Sequence, residues 1–164
     1  MSDAVVQIED LTRTFGATVA VDGLKLTVRR GEVFGFLGRN GAGKTTTIKT
    51  LLGLLRPTNG TIRVLGLDPV GHGSDLKQRI GYVSEMPQLY PWMRVREMVR
   101  FTRSFYQHWN DVHVARLLEQ FRLDPECKVQ NLSRGMGAQL ALVLALGHDP
   151  ELLILDEPAT GLDV

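Results

Sequence analysis

Gly38-Arg39-Asn40-Gly41-Ala42-Gly43-Lys44-Thr45 is a glycine, four free positions, then Gly-Lys-Thr, the spacing of a phosphate-binding loop. Such a loop needs a strand before it and a helix behind it. Val33 to Leu37 is apolar almost throughout, which suits a parallel strand buried on both faces. From Gly43 to Leu54 the apolar residues Ile48, Leu51, Leu52 and then Leu55 fall on one helical face. Pro57 and Asn59-Gly60 are expected to end that helix. In this setting the three glycines let successive backbone N–H groups point inward, and the helix adds its positive end, making a concave anion site. Lys44 then reaches the β- and γ-phosphates of a nucleotide, and the Thr45 hydroxyl coordinates Mg2+.

Outward from the loop, Val6 and Ile8 sit between polar neighbours, and Leu24, Leu26 and Val28 alternate with Lys25, Thr27 and Arg29. Period-two alternation predicts antiparallel strands with one wet face. Thr61 to Leu65 and Ile80 to Val83 read as further short strands. After Pro87 the character becomes helical, with Val95, Met98, Val99, Thr102 and Phe105 on one face. Arg96, Arg100 and Arg103 make a solvated stripe on the other. Leu140 to Leu146 is apolar all round, as a buried helix should be, and Gly147 and Pro150 end it.

A second apolar run, Leu152 to Leu155, ends in Asp156-Glu157. Ligands of open α/β sheets bind at the C-terminal ends of the strands. Adjacent residues there face opposite ways, so Asp156 suits the Mg2+ shell and Glu157 suits polarising an attacking water. In Leu132-Ser133-Arg134-Gly135-Met136, Ser133 is a good helix N-cap and Gly135 allows close backbone approach. By spacing alone that stretch is an ordinary capped helix start.

Bulk properties narrow the function classes. The 164 residues are 43% hydrophobic, enough for one real core. Nineteen basic and eighteen acidic side chains leave a formal charge of +1, so there is no global field for gripping nucleic acid or an anionic membrane. Cys127 is the single cysteine, which fits a reducing compartment. No apolar run reaches the length of a bilayer span; work at a membrane would mean docking onto another subunit, without direct insertion.

The order of Phe15, the Gly38 to Thr45 loop, Leu132-Ser133-Arg134-Gly135-Met136, Leu152 to Glu157 and Thr160-Gly161-Leu162-Asp163 resembles the nucleotide-binding subunit of an ABC transporter, and within that family the bacterial exporter-type subunits. The resemblance covers essentially the whole chain. It implies an α/β fold: a P-loop NTPase core with an N-terminal antiparallel β subdomain and an inserted α-helical subdomain. The expected layout is one domain, with residues 1–84 as antiparallel β and P-loop core, 85–150 as Q-loop and helical subdomain with signature, and 151–164 as acidic-pair strand and D-loop. It implies ATP and Mg2+ as cofactors and hydrolysis of ATP to ADP and phosphate, with Lys44 and Glu157 catalytic.

The resemblance also implies the remaining roles. Phe15 stacks on adenine; Gly38, Arg39, Asn40, Gly41, Ala42, Gly43, Lys44, Thr45 and Thr46 hold the phosphates; Glu85, at the Q-loop, joins Thr45 and Asp156 as a metal ligand. Ser133 and Gly135 contact the γ-phosphate of ATP bound on a second subunit, and Asp163 speaks across that head-to-tail dimer. A transmembrane permease subunit is the other implied partner, received near Gln88-Leu89-Tyr90-Pro91-Trp92, which puts the protein on the cytoplasmic face of the cell membrane.

The chain departs from the family pattern in three places. Glu85 stands where glutamine is usual. Arg134 and Met136 replace the usual glycine and glutamine of the signature, and Gly137-Ala138-Gln139 replaces a more basic continuation. Val164 falls inside the D-loop, ahead of the family's switch histidine, a role His148 cannot take, and ahead of a central parallel strand; the expectation is therefore a C-terminally truncated cassette with two exposed sheet edges. Two other functions stay open on sequence: a nucleotide-binding regulatory or structural module without turnover, and a soluble ABC ATPase of DNA repair or translation, the latter disfavoured by the compact stretch between Glu85 and Ser133.

Overall fold

A computed structural model describes residues 3–39 and 41–157. The chain divides into two compact units, Met1–Lys77 and Gln78–Val164.

In the first unit, β1 (Ala4–Phe15) and β2 (Thr18–Arg29) pair antiparallel, and β3 (Asn59–Val64) pairs antiparallel with the other edge of β1. The sheet order is β2-β1-β3. The alternation seen in the sequence sets its faces: Val6 lies opposite Val28 and Val64, and Ile8 opposite Leu26 and Ile62. Val6, Ile8, Leu11, Val28, Ile62 and Val64 are buried, giving the one dry face such strands require. Helix α1 (Lys44–Leu51) packs on β2 and β3 with Thr47, Ile48, Thr50 and Leu51 inward. The Thr50 hydroxyl is satisfied in that dry site by donating to the Thr46 carbonyl at 2.7 Å, as a buried hydroxyl must be.

Two expectations fail here for identifiable reasons. Helix α1 stops at Leu51, ahead of Pro57. Gly53 turns the chain at φ 69°, and a Cβ there would lie 2.2 Å from the Pro69 carbonyl oxygen, so a glycine stop pre-empts the proline. The run Val33 to Leu37 forms no strand; Val33 is 100% and Leu37 93% exposed. A strand buried on both faces needs flanking strands to take its amides and cover its side chains, and among the described residues none lies beside it. A short helix, α2 (Gly73–Lys77), closes the unit.

The second unit holds a parallel pair, β4 (Ile80–Val83) and β5 (Leu152–Leu155), in the register Ile80 to Leu152 and Val83 to Leu155. Between them run α3 (Val95–Arg103), α4 (Asp111–Gln120), a 3-10 turn at Val129–Asn131 and α5 (Arg134–Leu146). Val95, Met98, Val114, Leu117, Leu140 and Val143 are buried together at the centre of this helical unit. Helix α5 is apolar all round because it is enclosed: it packs on α3, α4 and β4. It lies close against β4 at Gly81, where a Cβ would meet the Ala145 carbonyl oxygen at 2.5 Å.

Arg96, Arg100 and Arg103 are exposed. Arg96 pairs with Glu126, and Arg103 with Asp111 at 3.0 Å, so the stripe is solvated as its spacing suggests. Phe105 departs from the expected face: α3 ends at Arg103 and the ring is 61% exposed. Strand β5 is also less enclosed than its run of leucines implies, since Leu153 and Leu155 remain 37% and 38% exposed. One of its faces is open.

Candidate nucleotide site

The phosphate loop belongs to the first unit, and its shape follows from its glycines. Gly41 and Gly43 adopt φ 82° and 83°, a left-handed conformation that costs other residues roughly 1–2 kcal/mol. Gly43 is fixed twice over, because a Cβ there would lie 2.3 Å from the Ala20 carbonyl oxygen and 2.9 Å from Val21 Cγ2. The bare backbone is what lets the loop lie against β2. The Ala42 amide donates to the Arg39 carbonyl at 3.0 Å, closing a turn at the tip.

Gly43 is also the N-cap of α1, and it brings no capping side chain; nor is any acid present in the first turn. The first intrahelical bond runs from the Thr47 amide to the Gly43 carbonyl at 2.8 Å. The amides before it point out of the helix end, where side chains or an anion must satisfy them. The Lys44 ammonium spans the loop to the carbonyls of Gly38 and, at 3.5 Å, Arg39. A cation, a positive helix end and left-handed glycines therefore share one short segment. Thr45 is exposed, and Thr46 is half-buried. Asn40 lies outside the described residues.

Phe15 stands at the end of β1 with 46% of its surface exposed, so it is no core aromatic. The Arg13 guanidinium stacks over its ring, 4.5 Å from the centroid. Sequence reasoning passed over Arg13; its signal was the two-residue spacing that puts both side chains on one face of the strand.

The acidic residues belong to the second unit. The register of β4 and β5 brings Glu85, Asp156 and Glu157 to the C-terminal end of the parallel pair, and the Asp156 amide bonds the Val83 carbonyl at 2.9 Å. Asp156 is 5% exposed. A carboxylate at the C-terminal end of a parallel pair is an oxygen donor of the type Mg2+ takes, so the residue fits a metal. Its charge is felt nearby: burial first, then Asp156, pushes the Tyr82 hydroxyl above its ordinary pKa. Glu157 is exposed and left-handed at φ 51°. Glu85 is exposed. Among the described residues no three His, Cys, Asp or Glu side chains gather into a closed metal cage.

Ser133 caps α5, accepting from the Met136 amide at 3.2 Å. Leu132 and Met136 pack against the helical core, while Ser133 and Arg134 are exposed and Gly135 is half-buried. The unusual methionine of this stretch is thus a packing residue. Asp163 lies outside the described residues. His148 is a core histidine: 3% exposed, with Nε2 3.2 Å from the Ile80 carbonyl oxygen and its ring stacked on Tyr106 at 4.0 Å. Burial pushes its pKa below 6.5.

Beyond Glu85, Tyr90, Trp92 and Phe105 face solvent, and Phe101 packs against the helical core. Trp92 is 64% exposed, Tyr90 lies 5.1 Å from it and 5.3 Å from Phe101, and Phe101 meets Phe105 at 5.0 Å.

Residues 21–160 match the family described as ABC transporter. The chain is 40% identical over 161 residues to the bacitracin transport ATP-binding protein BcrA of Bacillus licheniformis, covering 97% of this chain and 53% of that protein. It is 42% identical over 168 residues to the Nod factor export ATP-binding protein I of Burkholderia lata, covering 99% and 55%. Among solved structures it is similar to cbiO1 of Clostridium perfringens, part of the ABC transporter complex cbiONQ, with TM-score 0.84 and 28% identity over 99% of this chain and 68% of that one. The chain spans about half the length of the curated relatives it matches. With a glycine loop, an uncapped helix start and a buried aspartate in the expected order along a mixed α/β chain, the chain belongs to the ABC transporter ATP-binding family.

Proposed function

We propose that the chain is the ATP-binding and ATP-hydrolysing part of an ABC exporter, driving a separate permease subunit. The observation that carries this reading is the phosphate loop itself: left-handed Gly41 and Gly43, an uncapped α1 and Lys44 within one segment. In this reading the loop amides and Lys44 hold the phosphates, and Phe15 and Arg13 offer a flat face to the base. Mg2+, when bound, neutralises phosphate charge; Thr45, Asp156 and Glu85 are the residues that would hold it. Glu157, exposed and outside the aspartate's burial, orients and deprotonates the attacking water.

Ser133, Gly135 and Asp163 serve the site of a second cassette in a head-to-tail dimer, and the exposed aromatic run receives the permease. No described helix is long and apolar enough to cross a membrane, and the names of the relatives, bacitracin transport and Nod factor export, support work at the cytoplasmic face of a membrane, in export. The test is phosphate release from MgATP by the full polypeptide and by Glu157→Gln. Turnover in the parent and ATP retention without turnover in the variant are expected. Binding without turnover in both would favour a regulatory module instead.

A further inference from the structure

We infer that Arg13 is a positioning residue for the nucleotide base: its guanidinium covers one face of the Phe15 ring and holds the ring so that the base stacks on the other. The inference rests on the ATP reading above and deepens it by giving the base a seat with one open side. All of its parts belong to the first unit. The antiparallel register sets Arg13 opposite Val21 and Phe15 opposite Thr18, and directly opposed residues share a face of the sheet. Val21 is buried, and its Cγ2 lies 2.9 Å from where a Cβ on Gly43 would stand. Arg13 and Phe15 therefore stand on the face of the sheet against which the phosphate loop lies. From Thr18 to the loop's contacts at Ala20 and Val21, a strand's rise per residue gives roughly 7–10 Å, a distance that a ribose and its first phosphate span.

Two observations commit Arg13 to the ring. Its guanidinium carbon lies 4.5 Å from the ring centroid, inside the range of about 6 Å over which a cation is drawn to an aromatic face. Its Nε is buried and has no hydrogen-bond partner among the described residues, so that part of the group is held by packing rather than by a competing acceptor. Phe15 itself stays 46% exposed, with one face covered and the rest of the ring open. A lone exposed phenyl ring would have to be ordered when the base arrives, and ordering a side chain on binding weakens affinity. Here the arginine orders it beforehand. A triphosphate without a base gains nothing from that ordering.

The test is calorimetric titration of MgATP, and separately of magnesium tripolyphosphate, into the full polypeptide and its Arg13→Met, Phe15→Ala and doubly substituted variants. Methionine keeps an apolar stem and removes the guanidinium, and binding of tripolyphosphate confirms that the phosphate loop of each variant is folded. Arg13→Met is expected to weaken the MgATP Kd by about two- to fivefold, the scale of an exposed cation–π contact, to leave the tripolyphosphate Kd in place, and to add nothing once Phe15 is alanine. Equal weakening of both ligands, or an undiminished loss in the Phe15→Ala background, overturns the inference, because Arg13 would then act on the phosphates or the fold and not through the ring. An unchanged MgATP Kd in Arg13→Met overturns it while leaving ATP binding intact. Absence of any heat from MgATP in the parent defeats the ATP reading itself.

Discussion

Replacing Gly43 by alanine separates the two reasons for a glycine there. The backbone stands at φ 83°, which for alanine costs roughly 1–2 kcal/mol. The added methyl would also lie 2.3 Å from the Ala20 carbonyl oxygen and 2.9 Å from Val21 Cγ2. Relieving it moves the loop or β2, an overpacking cost of about 1–3 kcal/mol. Together these give about 2–5 kcal/mol, a large part of a stability of about 5–15 kcal/mol. Gly41 is the internal control: its φ is 82°, but a Cβ there meets nothing within 4 Å, so Gly41→Ala carries only the conformational term. Urea unfolding of both variants, read from midpoint shifts at constant slope, is expected to place Gly43→Ala at least about 1 kcal/mol below Gly41→Ala. Equal losses would mean that the contact with β2 does not hold the loop.

Three further outcomes follow from the same geometry. Glu157→Gln should slow phosphate release by about 10²- to 10⁴-fold, the range for losing a general base, while ATP affinity is kept; a variant with parental turnover removes Glu157 from that role. For His148, the unfolded chain binds its proton near 6.5, whereas burial lowers the folded value. Below 6.5 the unfolded state therefore holds more protons, so this contribution to stability is whole above 6.5 and is lost as the pH falls toward the lowered value. Melting temperatures of parent and His148→Gln between pH 7 and 5, about the range where histidine titrates, should show a flatter acid slope in the variant. Trp92→Ala should leave MgATP binding unchanged and weaken capture of the permease by about 2 kcal/mol, the scale of an aromatic anchor; an unaffected permease complex would move the docking surface elsewhere.

What the sequence revealed was whatever a short window can encode. Strands β1 and β2 were legible because alternation is local, and the phosphate loop because its glycines, lysine and threonine are contiguous. Helix α5 was legible because an all-apolar stretch with Ser133 before it and Gly147 after it has few other uses. Ser133's cap on Met136 could be anticipated from residue type alone. The failures are non-local. Val33 to Leu37 has a strand's composition, but composition supplies no neighbouring strand. The stop at Gly53 depends on the approach of Pro69, sixteen residues on. The openness of one face of β5 and the burial of Asp156 depend on what packs over them. Arg13 against Phe15 was within reach of the pattern, and missed because a cation beside an aromatic on an edge of sequence looks like ordinary surface.

Backbone amide spectra of the isotope-labelled polypeptide, recorded while MgATP is titrated in, test the phosphate loop as the nucleotide's seat. The amides of Gly41, Gly43, Lys44, Thr45 and Thr46 should move furthest and follow one binding curve. Saturating nucleotide that shifts other amides and leaves these five in place would show that the loop holds no phosphate.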